Sequence, residues 1–205
     1  KPEKKIELRL AVNAGSVQEN DNQLGLAHFM EHMGFNGSKH FPKNELVDFL
    51  QKTGVDFGAD LNAYTSFDET VYILSLPTED ASLVDKGFTV LEDWAFNNLL
   101  DKTEIEKERG VVLEESRLSK GSWERMSRQY FPKLLNGSKY AMRLPIGKDE
   151  ILKKFKYETL KNFYTNWYRP NLMAVIVVGD IDPADAEKRI VAHFGKFKNP
   201  ANAPV

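Results

Sequence analysis

Two histidines four residues apart, with a glutamate directly before the second, are the residues in this chain most suited to catalysis. They are His28, Glu31 and His32, in the string LAHFMEHMGF. Residues four apart on a helix lie one turn above each other, so both imidazoles can reach one ion at about 2.0 to 2.1 Å, as zinc requires. Glu31 follows His28 by three residues, on the same side, where it can accept a proton from metal-activated water. The spacing therefore indicates a catalytic metal site.

The alternative interpretation is that both histidines are solvated or bind carbonyl groups near a helix end. A third ligand would favour the metal site, because catalytic zinc usually has three protein ligands and one open position. The chain contains no cysteine, so this ligand must be His, Asp or Glu. The other two histidines are weaker candidates. We expect His40 to lie in a loop and His193 in the last turn of the final helix, where it complements the helix dipole.

A later acidic helix offers a carboxylate. Glu108 and Glu115 are seven residues apart, which is about two helical turns, and therefore lie on one face. The alternative is a charged helix surface in contact with solvent. Three further acidic residues of this helix fit that alternative: Glu104, Glu106 and Glu114.

The composition is that of an ordinary globular protein. Of the 205 residues, 41% are hydrophobic and 28% are charged, and the net charge is −2. This balance favours neither nucleic acid nor a membrane surface as a partner. The longest purely apolar run, 173–178, is far shorter than the roughly 18 residues of a membrane span. From the termini KPEKKIEL and NPANAPV we expect a piece of a longer protein.

The first half of the chain predicts strands and helices in alternation. Apolar residues alternate with polar ones over 6–12, which predicts a strand. A helix over about 24–33 should carry the two histidines, with Asp21 or Asn22 as its N-cap and Gly34 at its end. A second helix should follow Pro42 and end at Gly54. The string ADLNAYTSFDETVYILSLP predicts one or two strands with a bend at 66–68.

The second half is mainly helical. Thr78 should cap a long helix that ends near Leu100, and Thr103 should open the next, with Glu106 completing a capping box. Further helical segments follow, then an apolar strand within NLMAVIVVGDI and an amphipathic helix over about 183–194. Strands separated by helices of this length predict one α+β domain with helices packed on a sheet.

Four strings, in this order along the chain, carry a family resemblance: GLAHFMEHMGFNGSKHFP, LNAYTSFDETVY, EKERGVVLEE and YRPNLMAVIVVGDID. Together they resemble the catalytic amino-terminal domain of the pitrilysin, insulysin and mitochondrial processing peptidase family. These peptidases are inverzincins, in which the motif is HxxEH. Among them the chain is most similar to the periplasmic PqqL-like zinc proteases of bacteria. The resemblance implies a two-layer α+β domain over 1–205, with a mixed, mainly antiparallel sheet covered on one face by helices.

The resemblance also implies residue roles. His28 and His32 match the histidines that bind a single Zn²⁺, and Glu31 matches the general base. The third ligand matches the second glutamate of a spaced pair, here Glu115, with Glu108 as a supporting catalytic carboxylate. Counting from His32 alone would instead favour Glu108 as the ligand. The string LNAYTS matches an edge strand that pairs with substrate, so three of its residues are candidates for substrate binding: Asn62, Ala63 and Tyr64.

The function implied is a zinc-dependent endopeptidase that hydrolyses peptides or unfolded polypeptides. In this family a second half completes a clamshell around the substrate, so we expect partners in further homologous domains or a partner subunit, and little activity from this chain alone. The implied location is the periplasm or cell envelope. A non-catalytic family member acting as a structural or assembly subunit is the alternative. S-ribosylhomocysteine lyase shares the HxxEH helix but binds its metal with a cysteine, which this chain lacks.

Overall fold

A four-stranded antiparallel sheet forms one layer of the protein. The computed structural model describes residues 3–43, 45–52, 54–55 and 58–201. The strands are β1 (Lys5–Val12), β2 (Leu61–Thr65), β3 (Thr70–Pro77) and β4 (Met173–Gly179), in the spatial order β2-β3-β1-β4. Each of the three pairings is antiparallel. The predicted α+β class is therefore confirmed, and of the one or two strands expected around the bend at 66–68 the protein has two, β2 and β3.

The helices form the second layer. Their bounds are α1 Leu26–Met33, α2 Glu45–Lys52, α3 Ala81–Phe96, α4 Lys102–Ser119, α5 Ser122–Leu134, α6 Asp149–Leu152, α7 Tyr157–Trp167 and α8 Pro183–Phe194. Within the described residues, no helix combines the length and the apolar character needed to cross a membrane.

The core lies between the sheet and the helices. On β1 the alternate residues Ile6, Leu8 and Leu10 are at most 1% exposed, and α3 packs against β1 and β3. Burial of each such side chain contributes about 1.5 to 3 kcal/mol. Gly87 of α3 allows this close packing, because a Cβ there would lie 2.4 Å from the Leu76 side chain. The predicted inner face of α3 is buried as expected: Leu83, Val84, Phe88, Leu91, Trp94 and Ala95.

Three predicted helix caps were wrong, and in each case a nearer carboxylate or a tertiary contact explains the difference. Asp80, not Thr78, caps α3 by accepting the Ser82 N–H. Asp101 caps α4 by accepting the N–H groups of Thr103 and Glu104. Asp is a better N-cap than Thr. Asp80 and Asp101 also lie directly before the first residue of their helices, so they serve as the caps.

The third wrong cap is at α1, which begins at Leu26 with Gly25 at its N-cap, so neither Asp21 nor Asn22 serves there. The predicted capping box of α4 is also absent, because Glu106 instead pairs with Arg109 at 2.8 Å. Helix α3 ends at Phe96 rather than near Leu100. Leu100 has a positive φ of 49°, which breaks the helical path before α4 starts.

Candidate metal centre

Helix α1 presents its two histidines on the side turned away from the core. Phe29, Met30 and Met33 are fully buried and fix the opposite face of the helix. His28 and His32 are partly buried, with their rings 4.7 Å apart and nearly perpendicular. This amphipathic arrangement aims both imidazoles toward α4.

Glu115 of α4 meets the two histidines. Nε2 of His28 lies 3.2 Å from Nε2 of His32. Oε2 of Glu115 lies 3.3 Å from Nε2 of His32 and 3.6 Å from Nε2 of His28. These three donor atoms therefore form a nearly equilateral triangle. Among the described residues, His28, His32 and Glu115 are the group of side chains that could hold a metal ion.

The triangle fits a tetrahedral zinc ion. Ligand atoms about 2.0 to 2.1 Å from tetrahedral zinc are about 3.3 Å apart, close to the three separations in the protein. Two nitrogens and one carboxylate oxygen are also a donor set typical of catalytic zinc. Nδ1 of His28 is buried without a hydrogen-bond partner among the described residues. The distances from Nε2 show that this is the ring atom of His28 that faces the other two donors.

Glu108 occupies a different position from Glu115. Its Oε1 lies 2.6 Å from Nδ1 of His32, the ring nitrogen turned away from His28. Its Oε2 accepts a hydrogen bond of 2.8 Å from Nδ2 of Asn36, which also donates to the His32 carbonyl at 3.0 Å. A carboxylate bound to the outer ring nitrogen fixes the tautomer and orientation of a histidine. Glu108 can thus orient His32, while Glu115 reaches the shared point.

Glu31 lies beside this centre and is only 9% exposed. The Thr65 hydroxyl, at the end of β2, donates to Oε2 of Glu31 at 2.5 Å. Burial raises the pKa of Glu31, and the hydrogen bond from Thr65 partly opposes that rise. A carboxylate of raised pKa is closer to the range in which it can both take and return a proton.

The two histidines have opposite pKa shifts. Burial and the neighbouring His32 lower the pKa of His28 to about 4. Burial also lowers that of His32, but hydrogen bonds to Glu108 and Glu115 outweigh this effect and raise the pKa to about 9. The hydrogen bond between Glu115 and His32 lowers the pKa of Glu115. The two carboxylates thus favour the charged form of His32, whereas burial disfavours the charged form of His28.

The other acidic and histidine candidates lie elsewhere. His40 binds Asp93 through Nδ1 at 2.7 Å, and His193, in the last turn of α8, binds Glu92 at 2.9 Å. Three acidic residues of α4 pair with basic residues on their own helix: Glu104, Glu106 and Glu114. None of these side chains belongs to the histidine cluster, the group formed by His28, His32 and Glu115.

A cavity of about 540 Å³ opens next to Glu31 and His32. It is lined by α1, α2, α4 and the edge strand β2, through residues that include Phe35, Val47, Asn62, Ala63 and Val111. Tyr64 lies outside this lining, and its hydroxyl donates to Glu69 at 2.9 Å. Two of the three substrate candidates therefore face the space beside the candidate metal centre.

The register of β2 shows which backbone groups face outward. Ser66 N–H donates to the Glu69 carbonyl, and Ser75 N–H donates to the Asp60 carbonyl. In an antiparallel pair the hydrogen-bonded positions alternate, so the backbone groups of Asn62 and Tyr64 point toward β3. Those of Ala63 point toward the open edge, where its N–H donates to the Asn62 side chain at 2.9 Å.

Three contacts of the site were missed by sequence reasoning: Thr65 with Glu31, Asn36 with Glu108, and Glu19 with the start of α1. Asn36 follows His32 by four residues, so its helical spacing was a usable signal. Thr65 and Glu19 had no such signal, because their contacts depend on how β2 and the loop before α1 pack against that helix.

Comparison with known proteins identifies the family of the chain. The family model described as insulinase, peptidase family M16, matches residues 1–139, which include every member of the histidine cluster. A second model, described as the peptidase M16 inactive domain, matches residues 154–205.

Among curated proteins, the chain is 40% identical over 201 residues to the probable zinc protease PqqL of Escherichia coli, covering 98% of the chain. It is 38% identical over 199 residues to that of Haemophilus influenzae, covering 97% of the chain. In both cases it spans only 21% of the relative's length.

The crystal structure of the first half of the periplasmic protease PqqL from Escherichia coli superposes with a TM-score of 0.93. The sequence identity is 39%, and the match covers 100% of this chain and 44% of that one. The resemblance seen in the four sequence strings is therefore confirmed, and the chain belongs to the insulinase family of peptidases, family M16.

Proposed function

We propose that this chain is the zinc-binding catalytic part of an endopeptidase. The observation that carries the proposal is the triangle of donor atoms from His28, His32 and Glu115, whose sides of 3.2 to 3.6 Å fit one tetrahedral ion. In this assignment Glu115 is the third ligand. Zinc at this position would supply a Lewis acid that activates water for attack on a peptide carbonyl.

Glu31 is the general base in this proposal. Its carboxylate lines the cavity together with His32, and Thr65 fixes one of its oxygens. The free oxygen can take a proton from the attacking water and return it to the leaving amine. The raised pKa of Glu31 supports this double role, since a strongly acidic carboxyl group would be a poor proton donor in the second step.

Glu108 supports catalysis without binding the ion. Its hydrogen bond to Nδ1 of His32 leaves Nε2 free to face the other donors. Such carboxylate–histidine pairs increase the basicity of the ligand and hold its ring in place. Asn36 in turn holds Glu108, so the orientation of His32 is fixed through two successive hydrogen bonds.

The substrate would bind in extended form along β2. An open strand edge pairs with a peptide through backbone hydrogen bonds, which requires little sequence preference. The outward backbone of Ala63 and the adjacent cavity, lined by Asn62 and Ala63, support this assignment. Tyr64 would contribute from the solvent-exposed face of the same strand. A peptide or an unfolded polypeptide meets this requirement, whereas a folded protein exposes few extended segments.

We also infer that residues 1–205 form one catalytic domain and act as the first domain of a longer protein. The curated relatives are about five times as long as this chain, so a second half that closes over the site is a fitting partner. The periplasmic PqqL structure supports a location in the periplasm or cell envelope.

The decisive experiment uses the complete protein. Zinc content is measured together with cleavage of an unfolded polypeptide, in the wild type and in Glu31→Gln. We expect the variant to keep its zinc and to lose about 10² to 10⁴ in kcat, the usual contribution of a general base. Glu114→Gln is the matched control, since Glu114 pairs with Arg117 on the outer side of α4. Zinc-free wild type, or unaltered cleavage by Glu31→Gln, would overturn the proposal and favour a structural subunit.

A further inference from the structure

Helix α1 is capped by a side chain from outside the helix. Its N-cap residue, Gly25, has a φ of 99° and no side chain to offer. Oε1 of Glu19 accepts the N–H of Ala27 at 2.8 Å and that of Gly25 at 3.0 Å. Side-chain oxygens that satisfy first-turn N–H groups stabilise a helix start.

Glu19 and the loop around it are held in place by burial and by contacts with Arg143. Glu19 is 1% exposed, so its position is set by packing. The guanidinium of Arg143 binds the Glu19 carbonyl at 3.1 Å and Asp21 at 2.7 Å, and the Ser16 hydroxyl donates to the Arg143 carbonyl at 2.5 Å. The loop before α1 is therefore fixed to the segment that carries Arg143.

That segment also touches the helix start directly. Gly147 and Gly25 pack backbone to backbone, and a Cβ added at Gly147 would lie 2.3 Å from the Gly25 Cα. Both glycines have a positive φ. The start of α1 is thus confined by contacts with both the Glu19 carboxyl group and the Gly147 backbone.

The confined start of α1 lies directly before the first of the two histidines. The N–H of Ala27, which Glu19 accepts, belongs to the residue directly before His28. A helix turns by about 100° per residue, so a small change at its first turn redirects every side chain that follows. Zinc ligands tolerate distance errors of only about 0.2 Å.

We propose that Glu19 is a positioning residue for the metal centre: its buried carboxyl group sets the start of α1 and thereby the convergence of His28 and His32 on Glu115. This inference rests on the proposed zinc-binding function. It predicts that loss of the Glu19 contact weakens zinc binding beyond what a general loss of stability would cause.

The test compares Glu19→Ala with Glu19→Gln in the complete protein. Gln keeps an oxygen that can accept the N–H groups of Gly25 and Ala27, whereas Ala removes it. Zinc affinity is measured by competition with a chromophoric chelator, and the cobalt-substituted protein reports ligand geometry through its visible spectrum. Thermal stability, kcat and KM are measured on the same samples.

We expect Glu19→Ala to bind zinc at least about tenfold more weakly, in the range seen for groups that orient metal ligands. Its cobalt spectrum should change, and kcat should fall more than KM changes. Glu19→Gln should restore most of the affinity. Glu92→Ala is the matched control, because Glu92 is also a buried carboxylate, 4% exposed, but binds His193 and Lys196. It should lose stability and keep wild-type zinc affinity.

If Glu19→Ala does not fold, Glu19→Asp replaces it, because the shorter side chain withdraws the carboxylate from the same N–H groups. Wild-type zinc affinity and an unchanged cobalt spectrum in the folded variant would overturn the inference. An equal loss of zinc affinity in Glu92→Ala would also overturn the inference. Wild-type protein that binds no zinc would instead contradict the proposed function, so the two failures are distinguishable.

Discussion

The Thr65 hydroxyl lies 2.5 Å from Oε2 of Glu31 and donates a hydrogen bond to it, which connects the edge strand β2 to helix α1. The same strand is the proposed docking edge for substrate. The strand that would hold the peptide therefore also fixes the carboxylate that would take the proton.

Replacement of Thr65 by Val should lower kcat by about tenfold to hundredfold, because a hydrogen bond to a charged group contributes about 1.5 to 3 kcal/mol. KM should change little, since the hydroxyl contacts Glu31 rather than substrate. Thr65→Ser should retain most of the activity. Steady-state kinetics on an unfolded polypeptide check this, with Thr89→Val on α3 as control. An unaltered kcat in Thr65→Val would contradict the role.

Glu115 and Glu108 should differ sharply when each is changed to Gln. Loss of a ligand oxygen at Glu115 should abolish stable zinc binding, whereas loss of the orienting carboxylate at Glu108 should weaken it by about 10- to 100-fold. Equilibrium dialysis against a zinc buffer measures both. Glu106→Gln, at an exposed position of α4 where Glu106 pairs with Arg109, should leave affinity unchanged. The reverse order of effects would assign the ligand to Glu108.

Peptide binding along β2 should depend on alternate backbone N–H groups of the substrate. In an antiparallel pairing every second residue of the peptide bonds to the edge. A slowly cleaved peptide methylated on alternate backbone nitrogens in one register should bind like the parent. Methylation in the other register should weaken binding by about tenfold or more. Competition assays with the complete protein compare the two peptides. Equal losses in both registers would count against strand pairing.

Glu19 should give the folded protein a pH dependence. Burial raises its pKa from 4.5 to about 8, even though the Ala27 and Gly25 N–H groups and Arg143 favour the charged form. The folded state therefore holds a proton that the unfolded state has lost. The stability linked to this proton is complete below pH 4.5 and disappears as the pH rises through 8.

Urea unfolding of chelator-treated wild type and Glu19→Gln at several pH values measures this effect. The wild type should lose at least about 1 kcal/mol relative to the variant between the mildly acidic and mildly alkaline samples. A wild type that gains stability over the variant as the pH rises would show that Glu19 is buried as an anion.

The isolated chain should bind zinc but cleave peptides weakly or not at all. The three donor atoms and Glu31 all lie within it, whereas the cavity beside them opens to solvent. Metal analysis and a fluorogenic peptide assay on the purified chain test this expectation. Robust turnover by the chain alone would show that no second half is needed.

Local sequence patterns predicted those strands and helices whose buried face is set by residues close together in the sequence. The alternation in β1 and the three-and-four spacing in α3 reflect which side chains must be buried, and the buried face of each element is the predicted one, although α3 begins and ends at other residues than expected. The cap of α1 was wrong because a short-range rule favoured Asp21 or Asn22. The group that actually serves, Glu19, reaches the helix from a loop whose path depends on Arg143 and Gly147.

The same division applies to the candidate site. The spacing of His28, Glu31 and His32 on one helix was enough to bring them forward as candidates. Glu115 needed the family resemblance, because 83 residues separate it from His32 and counting alone pointed to Glu108. Thr65 was not foreseeable from spacing, since its contact with Glu31 joins an edge strand to a helix 34 positions earlier.

The contact between the backbones of Gly25 and Gly147 also constrains the order of events during synthesis. The Arg143 guanidinium binds the Glu19 carbonyl across 124 positions of sequence, and such distant contacts form late because loop closure must precede them. On the ribosome, α1 would remain without its confining segment until residues 143–147 have emerged. Under the role proposed for Glu19, a nascent chain would therefore acquire a correctly aimed histidine pair only after most of this region has been translated.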